Sequence, residues 1–205
     1  MYLTTAPWLL RKLFPSHLVW DIPNDSKKIY LTFDDGPHPV ATPFVLDCLK
    51  EYNAKATFFC IGKNVEDYPE VYKRILDEGH RVGNHTHNHL SGKKTGDKEY
   101  FDDIVNAAQI IDSSLFRPPY GEITAFQANS LQAKFKIIMW TVLSADFDIK
   151  ITGEKCLQNV VKNTKTGSII VFHDSEKAFK RLEYALPKAL QQFSEKGYVM
   201  EALKL

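Results

Sequence analysis

Apolar residues gather in short runs along this chain, and between the runs lie longer stretches where they recur every three or four positions. The short runs predict strands at Ile29–Phe33, Ala56–Cys60, Arg81–Gly83, Leu115–Arg117, Lys136–Val142, Ser168–Phe172 and Tyr198–Leu203. The 3.6-residue periodicity predicts helices near Ala41–Tyr52, Glu66–Glu78, Asp97–Ser113, Thr124–Ala133, Gly153–Thr164 and Glu176–Glu195. A run such as Ile169-Ile170-Val171-Phe172 has no polar alternation, which is the pattern of a parallel strand covered on both faces. Strand–helix alternation along the whole chain makes the fold class α/β, with right-handed crossovers. The 205 residues hold about seven such units and fall short of the ~250 of a full eight-fold barrel. The pattern predicts a compact or incomplete barrel, with an open doubly wound sheet as the alternative.

Local signals place the element ends. Pro39 and Pro43 bracket the start of the first long helix, where a missing amide hydrogen costs little. Asn64 reads as the N-cap of the helix carrying Glu66 and Asp67, and Gly79 and Gly197 read as C-terminal caps. No repeat, low-complexity tract or Gly/Ser linker divides the chain. Residues 1–28, with Trp8, Pro15, Trp20 and Pro23, read as an irregular arm packing on the core, and residues 29–205 as one domain.

Composition narrows the function classes. Apolar residues make up 44% and charged residues 25%, which is ordinary globular usage. Twenty-six Lys+Arg against 25 Asp+Glu leave a net charge of +1, which argues against a nucleic-acid partner. No apolar run approaches the ~20 residues of a membrane-spanning helix. The three scattered cysteines, Cys48, Cys60 and Cys156, have no metal-type spacing and read as small buried hydrophobes. The first ten residues lack a basic leader, and Arg11 and Lys12 interrupt the short apolar stretch there. The chain as it stands reads as cytoplasmic, or as exported if a leader has been removed, and a monomer is expected.

The unusual polar residues all follow strands. Asp34 and Asp35 follow the first, and His85-Thr86-His87-Asn88-His89 follows the third. Arg117 ends the fourth, Asp146 comes after the fifth, and His173-Asp174 follows Ser168–Phe172. In parallel α/β folds those strand ends share one face, where ligands bind. On a helical turn, His85 and His89 at i and i+4 would face the same side, and their spacing lies within the range of zinc ligands. His87 would point elsewhere. A catalytic metal commonly has three protein ligands and an open position, and Asp34-Asp35 offers two carboxylates, one to ligate and one to handle protons. That donor set suits a divalent metal, Zn2+ first, with Co2+, Ni2+ or Mn2+ fitting the same site. His173 reads as either a core histidine or a proton donor oriented by Asp146. Arg117 is either a surface arginine or part of a site wall stiffened by Pro118 and Pro119, a loop that could offer a backbone N–H to an oxyanion.

Four of these segments, taken together, resemble a known family. Thr32-Phe33-Asp34-Asp35-Gly36-Pro37, His85-Thr86-x-x-His89, Arg117-Pro118-Pro119-Tyr120 and Ile169-Ile170-Val171-Phe172-His173-Asp174 are similar, in order, to motifs of the NodB-homology polysaccharide deacetylases, carbohydrate esterase family four. The resemblance implies a compact, distorted (β/α) barrel of seven or eight parallel strands and makes residues 29–205 the catalytic domain. It implies that Asp35, His85 and His89 hold the metal, that Asp34 is the general base and that His173 is the general acid. It also implies that Tyr120 supplies an oxyanion-binding N–H, that Arg117 braces the base and that Asp146 tunes the acid. The implied reaction is hydrolysis of N-acetyl groups from amino sugars of peptidoglycan, chitin or chito-oligosaccharide. The alternatives are an O-acetyl esterase or small-amide hydrolase, or a carbohydrate-binding relative without catalysis. One motif departs: Leu143 stands where the family has an aspartate, and Phe147 where it has a tryptophan.

Overall fold

The computed structural model describes residues 3–205, so Met1 and Tyr2 of the predicted arm lie outside the described residues. Eight parallel strands form one curled sheet: β1 (Lys28–Asp34), β2 (Ala56–Cys60), β3 (Arg81–Asn84), β4 (Leu115–Phe116), β5 (Lys136–Ile137), β6 (Val142–Leu143), β7 (Ile169–His173) and β8 (Val199–Met200). The order is β5-β4-β3-β2-β1-β7-β6, with β8 beside the start of β1. This is the distorted barrel.

The predicted single strand Lys136–Val142 is two short strands on opposite edges of the sheet. Ile138 N still bonds Phe116 O of β4, whereas Thr141 N bonds Ile169 O of β7. The chain therefore crosses the gap that a regular barrel would close. The N-terminal arm lines this gap: Val19 bridges Ile138, Thr5 bridges Val142 and Asp21 bridges Ser168. Leu18 packs with Leu131 and Phe135, so the arm shares in the core.

The helices are α1 (Trp8–Arg11), α2 (Ala41–Glu51), α3 (Gly62–Asp67), α4 (Pro69–Asp77), α5 (Asp97–Ala108), α6 (Ala125–Leu131), α7 (Gly153–Val161) and α8 (Glu176–Glu195). The predicted helix Glu66–Glu78 is broken at Tyr68 (φ −132°, ψ 57°), because a residue before proline is pushed out of the helical region. Asn64 is not an N-cap but sits inside α3, which begins at Gly62. Gly79 and Gly197 take left-handed φ of 75° and 71° after their helices.

Alternation along the strands decides what faces the barrel interior. Ile29, Leu31 and Phe33 pack outward with Phe58, Ile170, Phe172 and the faces of α2, α7 and α8. Tyr30, Phe59, Leu115, Ile138 and Ile169 fill the interior. Two residues on from Tyr30 is Thr32, and two further is Asp34, at the mouth. Gly83 is required because Phe59 occupies its side-chain space; an added Cβ would lie 2.5 Å from that ring.

Candidate active site

Parallel register places Asp34 directly opposite His173 across β1 and β7. Both side chains continue interior rows and emerge together at the C-terminal mouth. Each has its own partner. Arg117, fully buried just past β4, donates from one guanidinium nitrogen to Asp34 Oδ1 and to Thr32 Oγ1, both at 2.7 Å. Its Nε and second nitrogen bond the carbonyls of Ile138 and Met139 at 3.1 Å, and its plane lies 4.1 Å from the Phe59 ring centroid. The guanidinium is thus fixed on every side, with the interior barrel as its socket. It is not a surface arginine.

On the opposite flank, Asp146 is fully buried after β6 and accepts from His173 twice, Oδ1 from the ring Nδ1 and Oδ2 from the backbone N–H, each at 2.7 Å. Arg181 of α8 donates to the Asp146 carbonyl at 2.6 Å. The Nδ1 bond leaves His173 Nε2 free to carry a proton into the cleft. Burial works against the charged imidazole, but the Asp146 charge and hydrogen bond outweigh it, and His173 is raised to about 10. The Phe147 ring meets the His173 ring edge-on at 5.2 Å.

At the same mouth lie Asp35, His85 and His89, one ligand atom of each within 4.8 Å of the others. Asp35 Oδ1 is 3.2 Å from His89 Nε2 and 3.7 Å from His85 Nε2. The two histidines do not share a helical turn, as the spacing predicted. Residues 85–90 form a loop in which Thr86 and His89 take φ of 63° and 59°, so the imidazoles converge through two left-handed residues. Asn84, Thr86 and Asp103 pay out the hydrogen bonds that hold this path: Asn84 Oδ1 accepts from Thr86 N, Thr86 Oγ1 from Leu90 N, and Asp103 from the N–H groups of His87 and Asn88. His87 turns the other way, toward Glu66, at 3.7 Å.

The donor chemistry fits a divalent cation. His85 donates Nδ1–H to the Arg117 carbonyl at 2.7 Å, which directs the Nε2 lone pair at Asp35. Burial pulls His85 down to about 4, so it stays neutral, as a ligand must. Burial would raise the Asp35 carboxyl, but the His89 hydrogen bond and the surrounding imidazoles outweigh it and hold the group well below the usual carboxylate range. Asp35 itself stands at φ 78°, which turns it out of the interior row that carries Asp34. Tyr120 (φ 61°) leans its ring on His89, centroids 4.6 Å apart, and is 65% exposed at the rim.

Asp103 and Arg181 escape the sequence reading, and Thr32, Asn64 and Asp174, though named in it, have no supporting role at the site there. Asn64 donates to the Asp35 carbonyl at 2.7 Å. Asp174, fully buried, accepts from Gly36 N at 3.2 Å and from the Thr42 hydroxyl, pinning the loop after Asp35. Asp103 and Arg181 had a visible signal, since each is a charged residue on the buried face of its helix.

Residues 21–135 match the family model described as polysaccharide deacetylase. This chain belongs to that family. The deacetylase is 39% identical over 199 residues to a peptidoglycan-N-acetylglucosamine deacetylase of Bacillus cereus, covering 93% of each chain. It is 34% identical over 179 residues to the peptidoglycan-N-acetylglucosamine deacetylase PgdA of Listeria monocytogenes, covering 84% of this chain and 37% of that one. Among solved structures, the Bc1960 peptidoglycan N-acetylglucosamine deacetylase superposes with a TM-score of 0.88 at 32% identity, over 97% of this chain and 95% of that one.

Proposed function

We propose that this enzyme hydrolyses the N-acetyl group of N-acetylglucosamine residues in peptidoglycan or a related chito-oligosaccharide, with Zn2+ as the metal. The observation that carries the reading is the presence of two oppositely equipped pairs, Asp34–Arg117 and His173–Asp146, at the same mouth as the Asp35–His85–His89 cluster. A carbohydrate-binding relative without catalysis needs neither pair. When bound by those three residues, the cation supplies Lewis-acid polarisation of an acyl oxygen and acidification of water.

The chain's own residues do the rest. Asp34, held by the Arg117 guanidinium, takes a proton from the attacking water. The Tyr120 backbone N–H donates to the oxygen on which charge develops. His173 delivers its Nε2 proton to the departing amine, while Asp146 holds Nδ1–H and stabilises the imidazolium.

The test is acetate release from N-acetylated and O-acetylated glycans by the metal-supplemented enzyme, run beside Asp34→Asn. Release from N-acetylglucosamine polymers, lost by about 10²–10⁴-fold in the variant while metal is retained, supports the reading. Release from acetylated xylan alone would assign an esterase instead. Equal rates for wild type and Asp34→Asn would remove Asp34 as the base.

A further inference from the structure

The barrel end opposite the site carries an unrelated chemistry. Trp8, Leu9 and Leu13 of the N-terminal arm are 61%, 63% and 80% exposed. They are three of the thirteen large apolar side chains exposed among the described residues, packed into six positions of sequence. Trp8 and Leu9 sit on α1, Leu13 follows Leu9 by four positions, and Lys12 Nζ lies 4.2 Å from the Trp8 ring centroid.

The arm runs antiparallel beside β6, from Leu143 N on Thr4 O to Ala6 N on Thr141 O, so α1 follows at the end where β6 begins. Ala6 N bonds Thr141 O ahead of β6, Val19 N bonds Ile137 O, and Asp21 bridges Ser168 ahead of β7. The two helix-to-strand connections flanking it expose Lys134, Lys136, Lys162 and Lys165, and residues 132–142 and 162–168 contain no acid. A groove lined by Thr5, Arg11, Lys162 and Lys165 joins the arm to the second connection. Of the arm's acids, Asp21 is held by Arg11 at 2.5 Å and Asp25 stands exposed at the far end. A chain of net charge +1 thus concentrates positive charge beside its apolar patch.

We infer that the arm and these flanking lysines form a docking surface for an anionic lipid bilayer. Charge complementarity alone would suit any polyanion, but a soluble polyanion would leave the tryptophan and two leucines in water. A bilayer interface takes both parts: apolar side chains enter the headgroup–acyl boundary, and lysines meet anionic headgroups. No helix among the described residues is long and apolar enough to cross a membrane, and the inferred contact is made by side chains at the bilayer surface. His173 and Asp34 stand at the other ends of the same strands, so a docked enzyme turns its cleft away from the lipid.

The test is co-sedimentation of the full chain with phosphatidylcholine vesicles and with vesicles containing phosphatidylglycerol, at low and high salt, with brominated lipid to quench tryptophan. Binding to the anionic vesicles alone is expected, with quenching that disappears in Trp8→Phe. Each lysine near such a surface contributes on the order of fivefold, so Lys162→Gln with Lys165→Gln should weaken binding roughly 25-fold. Leu9→Ser with Leu13→Ser should also release the enzyme, while acetate release from a soluble chito-oligosaccharide stays unchanged. Lys93→Gln with Lys150→Gln, on loops at the site end, should leave binding intact. Failure to bind anionic vesicles at low salt would overturn the inference. So would equal sensitivity to the site-end pair, or heparin binding together with vesicle binding that ignores the leucine substitutions.

Discussion

Replacing Asp146 by Asn tests whether the His173 proton is placed by that carboxylate. Both Asp146 oxygens accept from His173 at 2.7 Å, one from the ring and one from the backbone. An amide has one acceptor, so either orientation breaks part of the arrangement. If its oxygen keeps the ring Nδ1–H, the amide NH2 faces the backbone N–H; if it keeps the backbone, the NH2 faces Nδ1 and favours the neutral imidazole. Both lose the charge that, against the effect of burial, raises His173 to about 10.

The magnitude follows from protonation. With its pKa near 10, His173 is almost wholly protonated at pH 8. With the ordinary value of about 6.5, only some 3% would be, a loss of roughly thirtyfold at pH 8 and little at pH 6. The acetate-release rate should therefore fall with Asp146→Asn by a ratio that grows steadily from pH 6 to pH 9. The same shift affects folding in a defined direction. A raised histidine pKa contributes stability that is fully present below about 6.5 and is lost as pH rises through about 10, so the variant's stability deficit should shrink at alkaline pH. A rate ratio that is flat from pH 6 to pH 9 would refute the assignment of His173 as an acid tuned by Asp146.

His89→Ala removes one of three donors and should lower Zn2+ affinity by at least about tenfold in a competition titration with a chromogenic chelator. Arg117→Met leaves Asp34 buried without its counter-charge and should cost about 3–5 kcal/mol in urea unfolding, while the apolar contact with Phe59 is kept. Gly36→Ala puts a methyl 2.1 Å from Asp174 Oδ2, so the loop carrying Asp35 must shift; metal affinity should fall along with a stability loss of about 1–3 kcal/mol.

What the sequence discloses and what it hides differ in physical kind. Continuous apolar runs identify β1, β2 and β7, because strands buried on both faces cannot be polar. The segment 136–142 reads as one strand because Ile137, Ile138, Met139 and Val142 are all apolar and buried; nothing in hydrophobicity reports that its two halves serve opposite sheet edges. The reacting side chains were legible as polar residues at strand ends. The path between His85 and His89 was not, since i,i+4 spacing is equally met by a helical turn and by a loop bent at Thr86 and His89. That choice is made by Asp103, on another element, accepting two loop N–H groups.

Strain and support are concentrated at the same end of the barrel. Of seven non-glycine residues with positive φ among the described residues, five (Asp35, Thr86, His89, Tyr120 and Ala145) lie in the loops after strands that make up the site. A left-handed residue costs roughly 1–2 kcal/mol when it has a Cβ, so the site is assembled against local preference. Glycine would relieve each position but would lose the carboxylate or imidazole at two of them. The cost is offset by buried acceptors that cannot be satisfied otherwise: Asp174 for Gly36, Asn84 for Thr86, and Asp103 for His87 and Asn88. Those acceptors sit on the sheet and on α5, so the rigidity of the scaffold fixes the loop. The positions of Asp35, His85 and His89 are therefore set before any cation arrives, and less of the binding free energy is spent on ordering them.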